Sequence, residues 1–99
     1  MEMSIKKEDG VLYIAVAGRL DTVTSAELNA KLEEEGYDNA DIDFDFQNIE
    51  YISSAGLRLV LALQKQAQET GHTLVIRNIN KVVAEVFRVA GFNKALTIV

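Results

Sequence analysis

The sequence contains no cysteine, no proline and only one histidine. Without cysteine the chain cannot form disulfides, thiolate zinc sites or iron–sulfur clusters, and it has no thiol nucleophile. Without proline, its turns must be marked by glycine and asparagine. The single histidine, His72, has no second imidazole with which to share a metal or build a catalytic triad. We therefore predict that it is a solvated turn residue.

Positive charge is also scarce, with 10 lysines and arginines against 15 aspartates and glutamates and a formal net charge of −5. This sign disfavours a protein that gains affinity by neutralising the phosphates of nucleic acid. The first ten residues lack the apolar core of a signal peptide, and no run approaches the ~20 apolar residues that cross a bilayer. We expect a cytoplasmic protein with no direct nucleic-acid contact and no membrane insertion.

The length of 99 residues, with 48% hydrophobic and 25% charged side chains, predicts one globular domain over residues 1–99. Alternation of apolar and polar residues predicts strands at 11–16, 41–46 and 73–77. A turn should pair the first of these with residues 3–8, and a short strand at 95–98 ends the chain. Aspartates alternate with apolar residues in 41–46, so one face of the sheet must be exposed to solvent.

Helices are predicted between these strands. The first begins at a capping box over residues 24–27 and ends at Gly36. The second covers residues 55–70, and its inward stripe comprises Leu57, Val60, Leu61 and Ala67. Leu59 lies on the side of the helix opposite Leu57, so we predict that it is exposed and does not belong to the core.

The third helix is predicted to begin at Asn80, its cap, and to end at Gly91, with Phe92 folding back onto it. The element order is therefore β-β-α-β-α-β-α-β. Right-handed crossovers place consecutive helices on one side of a sheet whose order does not reverse. We predict an α/β fold, α+β-like in having its helices on one face, with a mixed, mainly parallel sheet of four or five strands.

Acidic side chains near the third predicted strand could suggest a cation site. Alternate side chains of a strand lie about 6.6 Å apart in a row, whereas a cation needs ligands that converge on it. We therefore predict a solvated acidic face, formed by Asp38, Asp41, Asp43 and Asp45. No glycine spacing matches a phosphate-binding loop, and no cofactor is predicted.

The segment YISSAGL, residues 51–57, is predicted to be a loop that leaves a strand and opens the second helix. Neither Ser53 nor Ser54 has a base nearby in the sequence, which disfavours a hydrolase. Two interpretations remain open. One serine caps the helix, as serine commonly does, or a hydroxyl beside small residues is presented to a kinase, in a place where free N–H groups accommodate a phosphate.

The stretch FDFQNIEYISSAGLRLV resembles the signature of bacterial anti-sigma factor antagonists, the single-domain members of the STAS family. The upstream segment GRLDTVTSAEL and the downstream segment VVAEVFRVAGF are similar to two further segments of that family. In order and spacing the resemblance covers nearly the whole chain. It implies the STAS fold.

The resemblance also implies roles for individual residues. Ser54 takes the position of the serine that a cognate kinase phosphorylates, and Gly56 that of the family's glycine. Ser53 stands where an aspartate is usual, Ala55 where a second hydroxyl residue is usual, and Arg58 where glycine is common. Asp21 matches an aspartate beside the phosphorylation loop. The partner-binding residues that follow are Asp21, Thr22, Ser53, Ser54, Ala55, Gly56, Arg58 and Leu59, with no catalytic or metal-binding residue.

A partner switch is the function that the resemblance implies, and the protein is then not an enzyme. The unmodified antagonist binds an anti-sigma factor, often a serine kinase of the histidine-kinase-like ATPase fold, and so releases a sigma factor. Phosphorylation of the serine loop blocks binding, and a serine phosphatase restores it. One alternative is a STAS module, never phosphorylated, that supports a transporter or lipid-trafficking complex. A small-molecule or nucleotide-binding domain is a third possibility, disfavoured by the absence of a glycine-rich loop.

Overall fold

A computed structural model describes residues 2–36, 39–92 and 96–99. Asp38 of the predicted acidic face and Ala95 of the predicted last strand lie outside the described residues. The strands are β1 (Met3–Glu8), β2 (Val11–Val16), β3 (Gly18–Leu20), β4 (Asp41–Asp45), β5 (Ile49–Ile52), β6 (Leu74–Arg77) and β7 (Thr97–Ile98). The helices are α1 (Thr22–Glu35), α2 (Ser54–Glu69) and α3 (Lys81–Val89).

Five strands form the main sheet, in the order β1-β2-β4-β6-β7. The β1–β2 pair is antiparallel, and the other neighbours are parallel. The inward residues of these strands are the apolar members of each alternating pattern, so the helix-covered face holds the core. It includes Leu12, Ile14, Ile42, Phe44, Leu74 and Ile76, all buried. The predicted fold class is confirmed.

The opposite face of the sheet is partly open to solvent. Tyr13 and Asp43 are partners in the β2–β4 register, and the Tyr13 side chain is 41% exposed. The β4 aspartates on this face are each bound by neighbours. Arg77 donates from Nε to Asp43 Oδ1 over 2.9 Å, and Asp45 accepts from Asn78 Nδ2 over 3.0 Å. These carboxylates therefore spread along the strand as structural acceptors.

His72 is not the solvated turn residue that the sequence predicts. Its side chain is only 27% exposed, and its Nδ1 lies 3.3 Å from Asp41 Oδ1. Asp41 also accepts from the Thr73 N–H over 3.0 Å. Ile42 and Leu74 are partners in the β4–β6 register, so Asp41 lies beside Thr73, the residue that follows His72. The strand pairing thus places His72 against a carboxylate 31 residues away.

We expect Asp41→Asn to destabilise the fold at neutral pH but not in acid. The Thr73 N–H and then His72 lower the pKa of the Asp41 carboxyl, while its partial burial opposes them. A lowered pKa in the folded state adds stability that is present above the unfolded pKa of about 3.9 and is lost as pH falls through the folded value. Melting temperatures of the two proteins should differ at pH 7 and converge near pH 2.

Asp9→Asn is the matched control, since Asp9 lies in an exposed turn at φ 51°, a conformation that asparagine also adopts. It should leave the melting temperature nearly unchanged. A difference between Asp41→Asn and the wild type that persists unchanged at pH 2 would contradict a role for the ionised carboxylate.

The helix ends confirm most of the predicted boundaries, but α1 and α2 begin earlier than predicted. For α1 the reason is that Asp21 caps it and Thr24 completes the capping box as the third helical residue. Gly36 ends α1 at φ 72°, as predicted. Asn80 caps α3, and the Phe92 N–H bonds to the Phe87 carbonyl over 2.9 Å, which is the predicted fold-back at the end of α3.

A second, two-stranded sheet was not predicted. β3 and β5 pair in parallel, with a register shift between Gly18 and Arg19. Gly18 has φ 96° at this shift, a backbone conformation that side-chain-bearing residues rarely adopt. The segment taken for a loop therefore begins as a strand. This small sheet positions the candidate site, because α1 and α2 start where its two strands end.

Candidate functional site

The amino-terminal ends of α1 and α2 lie side by side. Leu20 and Ile52 are register partners at the ends of β3 and β5, and the Ser53 N–H donates to the Leu20 carbonyl over 2.9 Å. The next residue on the β3 side is Asp21, the cap of α1. The structure thus brings together the two segments, GRLD and YISSAGL, that the sequence analysis joined in one site.

Gly56 makes this close approach possible. A Cβ atom at residue 56 would lie 2.6 Å from the Leu20 carbonyl oxygen and 2.7 Å from Ile52 Cγ1. Neither distance is tolerable, and the first neighbour is backbone that cannot rotate away. Gly56 therefore lets the first turn of α2 pack directly on the end of β3.

We expect Gly56→Ala to destabilise the fold by about 1–3 kcal/mol, the usual range for overpacking. Alanine stabilises a helix relative to glycine by about 1 kcal/mol, so the measured loss of stability equals the energy of the clash minus that gain. Urea unfolding followed by circular dichroism gives the value. A variant that is more stable than the wild type by the full gain of about 1 kcal/mol would mean that the contact is not tight in solution.

The two serines of the loop have different roles. Ser53 is half-buried and caps α2, its Oγ accepting from the Gly56 N–H over 3.3 Å. Ser54 is the first helical residue, and its side chain is exposed. The structure therefore assigns the cap to Ser53 and leaves the Ser54 side chain exposed to solvent.

We expect Ser53→Ala to lower the free energy of unfolding by about 1 kcal/mol, the usual cost of losing a serine cap. Ser54→Ala removes an exposed hydroxyl outside the cap and should stay within about 0.5 kcal/mol of the wild type. Urea unfolding of the two single variants measures both. A larger loss for Ser54→Ala than for Ser53→Ala would show that the roles are reversed.

Asp21 serves the α1 side of the site as a capping group. Its Oδ1 accepts from the N–H groups of Val23 and Thr24, each over 3.1 Å. Hydrogen bonds from the backbone and hydroxyl of Thr24 hold the pKa of the Asp21 carboxyl below its usual value, so it is ionised at neutral pH. Thr22, the first residue of α1, is exposed beside it.

The remaining small and charged residues follow on α2. Ala55 is half-buried, and Arg58 is exposed one turn after Ser54. The structure thus places Asp21, Thr22, Ser53, Ser54, Ala55 and Gly56 in one region, with Arg58 at its edge.

Comparison with known proteins gives one family. Residues 3–99 match the profile of the family described as "Mlab, STAS domain". BtrV of Bordetella bronchiseptica, named as an anti-sigma factor antagonist, is 33% identical over 94 residues, which cover 93% of this chain and 80% of BtrV. The chain belongs to the STAS family of anti-sigma factor antagonists.

One further relative and one solved protein resemble this chain, the latter in its fold. The anti-sigma-B factor antagonist of Bacillus subtilis is 20% identical over 98 residues, covering 99% of this chain and 90% of that protein. The anti-sigma factor antagonist SpoIIAA in its unphosphorylated form superposes with a TM-score of 0.78 at 18% identity, over 99% of this chain and 87% of SpoIIAA. Its phosphorylated form gives a TM-score of 0.77 at 18% identity, covering 99% and 91%.

Leu59 does not belong to the exposed surface of this STAS domain. Its side chain is only 9% exposed and forms part of the core cluster. The prediction that it is exposed is wrong, because α2 packs against α1 as well as β5 and β6 and its buried face is broad enough to include Leu59 at one edge. Leu61, predicted to be core, is only partly buried. Leu59 is therefore not available to a partner that binds the folded domain.

Arg19 and Tyr51 border the site, although no sequence pattern had indicated them. The Arg19 guanidinium lies over the Tyr51 ring, 4.2 Å from its centroid. Both side chains are exposed, and each precedes its capping residue by two positions. Arg19 and Tyr51 are register partners across the β3–β5 sheet, so their contact could be predicted only from that pairing. Arginine and tyrosine are frequent anchors of protein interfaces.

Neither His72 nor Asp21 is placed to act as a catalytic partner of Ser54. His72 follows the far end of α2, a helix of 16 residues. At 1.5 Å per residue it is about 24 Å from the serine. Asp21 supplies the carboxylate at the site in the described part of the chain. Backbone N–H groups already bind this carboxylate. In the same described part, no helix is long and apolar enough to span a membrane.

Proposed function

We propose that this protein acts in the cytoplasm as the binding component of a phosphorylation-controlled partner switch. In its unmodified form it binds an anti-sigma factor that is also a serine kinase of the histidine-kinase-like ATPase fold, and a sigma factor is released. The kinase transfers the γ-phosphoryl group of ATP to Ser54 Oγ, with release of ADP and the hydroxyl proton. A serine phosphatase hydrolyses the phosphoserine and restores binding.

The observation that carries this proposal is the division of roles between the two serines. Since Ser53 caps α2, Ser54 is free of that structural task and is exposed at the first residue of the helix. A kinase can approach it, because small Ala55 and Gly56 follow. The existence of a phosphorylated form of the relative SpoIIAA supports the same chemistry here.

The partner surface in this proposal comprises the exposed and half-buried residues around Ser54. It consists of Asp21, Thr22, Ser53, Ser54, Ala55 and Arg58, with Gly56 holding the two segments together. Arg19 and Tyr51 extend it along the small sheet. The protein itself supplies no catalytic group in this scheme and acts by binding.

The test begins with affinity capture from the source cell, using the unmodified protein as bait. The recovered kinase is then purified and incubated with ATP and the wild type, Ser53→Ala or Ser54→Ala, and the modified peptide is mapped by mass spectrometry. We expect phosphate on Ser54 in the wild type and in Ser53→Ala, and none in Ser54→Ala. Modification confined to Ser53, or capture of membrane transport subunits in place of a kinase, would contradict the proposal.

A further inference from the structure

Arg58 differs from the other arginines of the chain in having no partner among the described residues. The sequence has four arginines. Arg19 lies over the Tyr51 ring, Arg77 pairs with Asp43, and Arg88 pairs with Glu85. No hydrogen bond or ion pair joins Arg58 to any part of the chain that the structure describes, although its side chain is exposed.

The sequence of α2 explains why Arg58 has no partner on its own helix. Ion pairs on a helix surface form between residues three or four positions apart. Those positions around Arg58 are Ser54, Ala55, Leu61 and Ala62, and none of them is acidic. Arg58 therefore lacks a counter-charge on α2 as long as Ser54 is unmodified.

Ser54 and Arg58 lie on the same face of α2. Both are exposed, and their spacing of four residues brings their Cβ atoms to about 6 Å from each other. Side chains on a helix lean towards its N-terminus, so a long side chain at residue 58 extends back towards residue 54. An acidic group four residues before a basic one is the more favourable order for such a pair.

We propose that Arg58 binds the phosphoryl group carried by Ser54. This inference rests on the proposed function, which places the phosphate there, and it adds a second effect of phosphorylation. The guanidinium can donate two parallel hydrogen bonds to phosphate oxygens, as arginine does in phosphate recognition. Phosphorylation therefore introduces a dianion and also engages Arg58, the arginine that has no partner among the described residues, at the edge of the partner surface.

The experiment measures the second pKa of phosphoserine 54 by ³¹P NMR. Phosphoserine is installed at position 54 during translation by an expanded genetic code, so no kinase is required. This pKa is about 6 for an isolated phosphoserine. We expect it to be lower in the wild type than in Arg58→Gln by about 0.5 unit, because a cation four residues away favours the dianion.

Two matched variants complete the design. Lys65→Gln removes an exposed cation from the same helix, 11 residues after Ser54, and should leave the pKa at the wild-type value. Arg58→Lys should restore part of the shift. Equal pKa values in the wild type and Arg58→Gln would overturn the inference.

A second measurement needs no substitution at residue 58. In the wild-type phosphoprotein, the ¹⁵Nε–H resonance of Arg58 should shift with the same midpoint as the ³¹P signal, and 1 M NaCl should weaken the shift. An Arg58 resonance that ignores the phosphate titration would also overturn the inference. The proposed function fails in a different experiment, when the kinase leaves Ser54 unmodified. The titrations described here would still report on Arg58 in that case, because they need no kinase.

Discussion

Replacing Leu59 by alanine is expected to lower the free energy of unfolding by about 2–5 kcal/mol, the range for truncating a buried leucine. The Leu59 side chain is 9% exposed and belongs to the core cluster. Its loss removes apolar contacts and leaves a cavity between α2 and its neighbours. Urea unfolding of the variant measures the effect, and the circular dichroism of the folded state shows whether the secondary structure survives.

Leu61→Ala is the matched control, since it makes the same chemical change on the same helix. Leu61 is only partly buried, so its truncation should cost clearly less than that of Leu59. The simple helical-wheel interpretation predicts the reverse order. A stable Leu59→Ala protein that has lost affinity for its partner would return Leu59 to the partner surface and contradict the packing described above.

The contrast between these two leucines shows why the sequence could not identify the core face of α2. A narrow stripe centred between Leu57 and Leu61 leaves Leu59 outside it. α2 packs against α1 as well as β5 and β6, and at about 100° per residue its buried residues span an arc of about 160°, with Leu57 and Leu59 at opposite edges. The buried residues are Gly56, Leu57, Leu59, Val60, Leu63 and Ala67.

Local signals predicted the elements of the main sheet and the helix ends well. The alternation in β2 and β4 is a property of neighbouring residues, and so are the cap at Asn80 and the left-handed end at Gly36. The predicted start of α1 at the capping box over residues 24–27 was wrong. The end of β3 delivers Asp21 to the capping position, so Thr24 becomes the third helical residue.

Features that depend on pairing across the chain could not be predicted. β3 and β5 have three and four residues, too few to show a period of two. The contact of His72 with Asp41 depends on the β4–β6 register. For the site, the sequence placed Ser53 and Ser54 correctly at the start of a helix. The assignment of the cap to Ser53 depends on α2 starting at Ser54, one residue earlier than predicted.

Phosphorylation of Ser54 is expected to weaken binding to the anti-sigma factor by about 100-fold or more, which corresponds to about 2.7 kcal/mol. Phosphoserine carries about −1.5 to −2 charges, and a partner that covers this loop must remove water from that charge or give way to its bulk. The chain already has a net charge of −5, so the added charge increases its overall repulsion of acidic surfaces.

The fold itself should tolerate the phosphate. Ser54 is exposed at the first residue of α2, so the phosphate meets solvent and the unpaired N–H groups of the first turn and does not enter the core. Since Ser53 provides the cap, modification of Ser54 leaves the hydrogen bond to the Gly56 N–H in place. Circular dichroism spectra of the two forms should therefore coincide.

Calorimetric titration of the isolated anti-sigma factor with three proteins tests this prediction. The unmodified wild type and Ser54→Ala should bind with similar affinity, because the alanine variant keeps the loop uncharged and the cap intact. The phosphorylated wild type should show little or no binding under the same conditions. Equal affinities for the phosphorylated and unmodified forms would favour a constitutive STAS module over a switch. Loss of the native spectrum on phosphorylation would show instead that the phosphate acts by unfolding the domain.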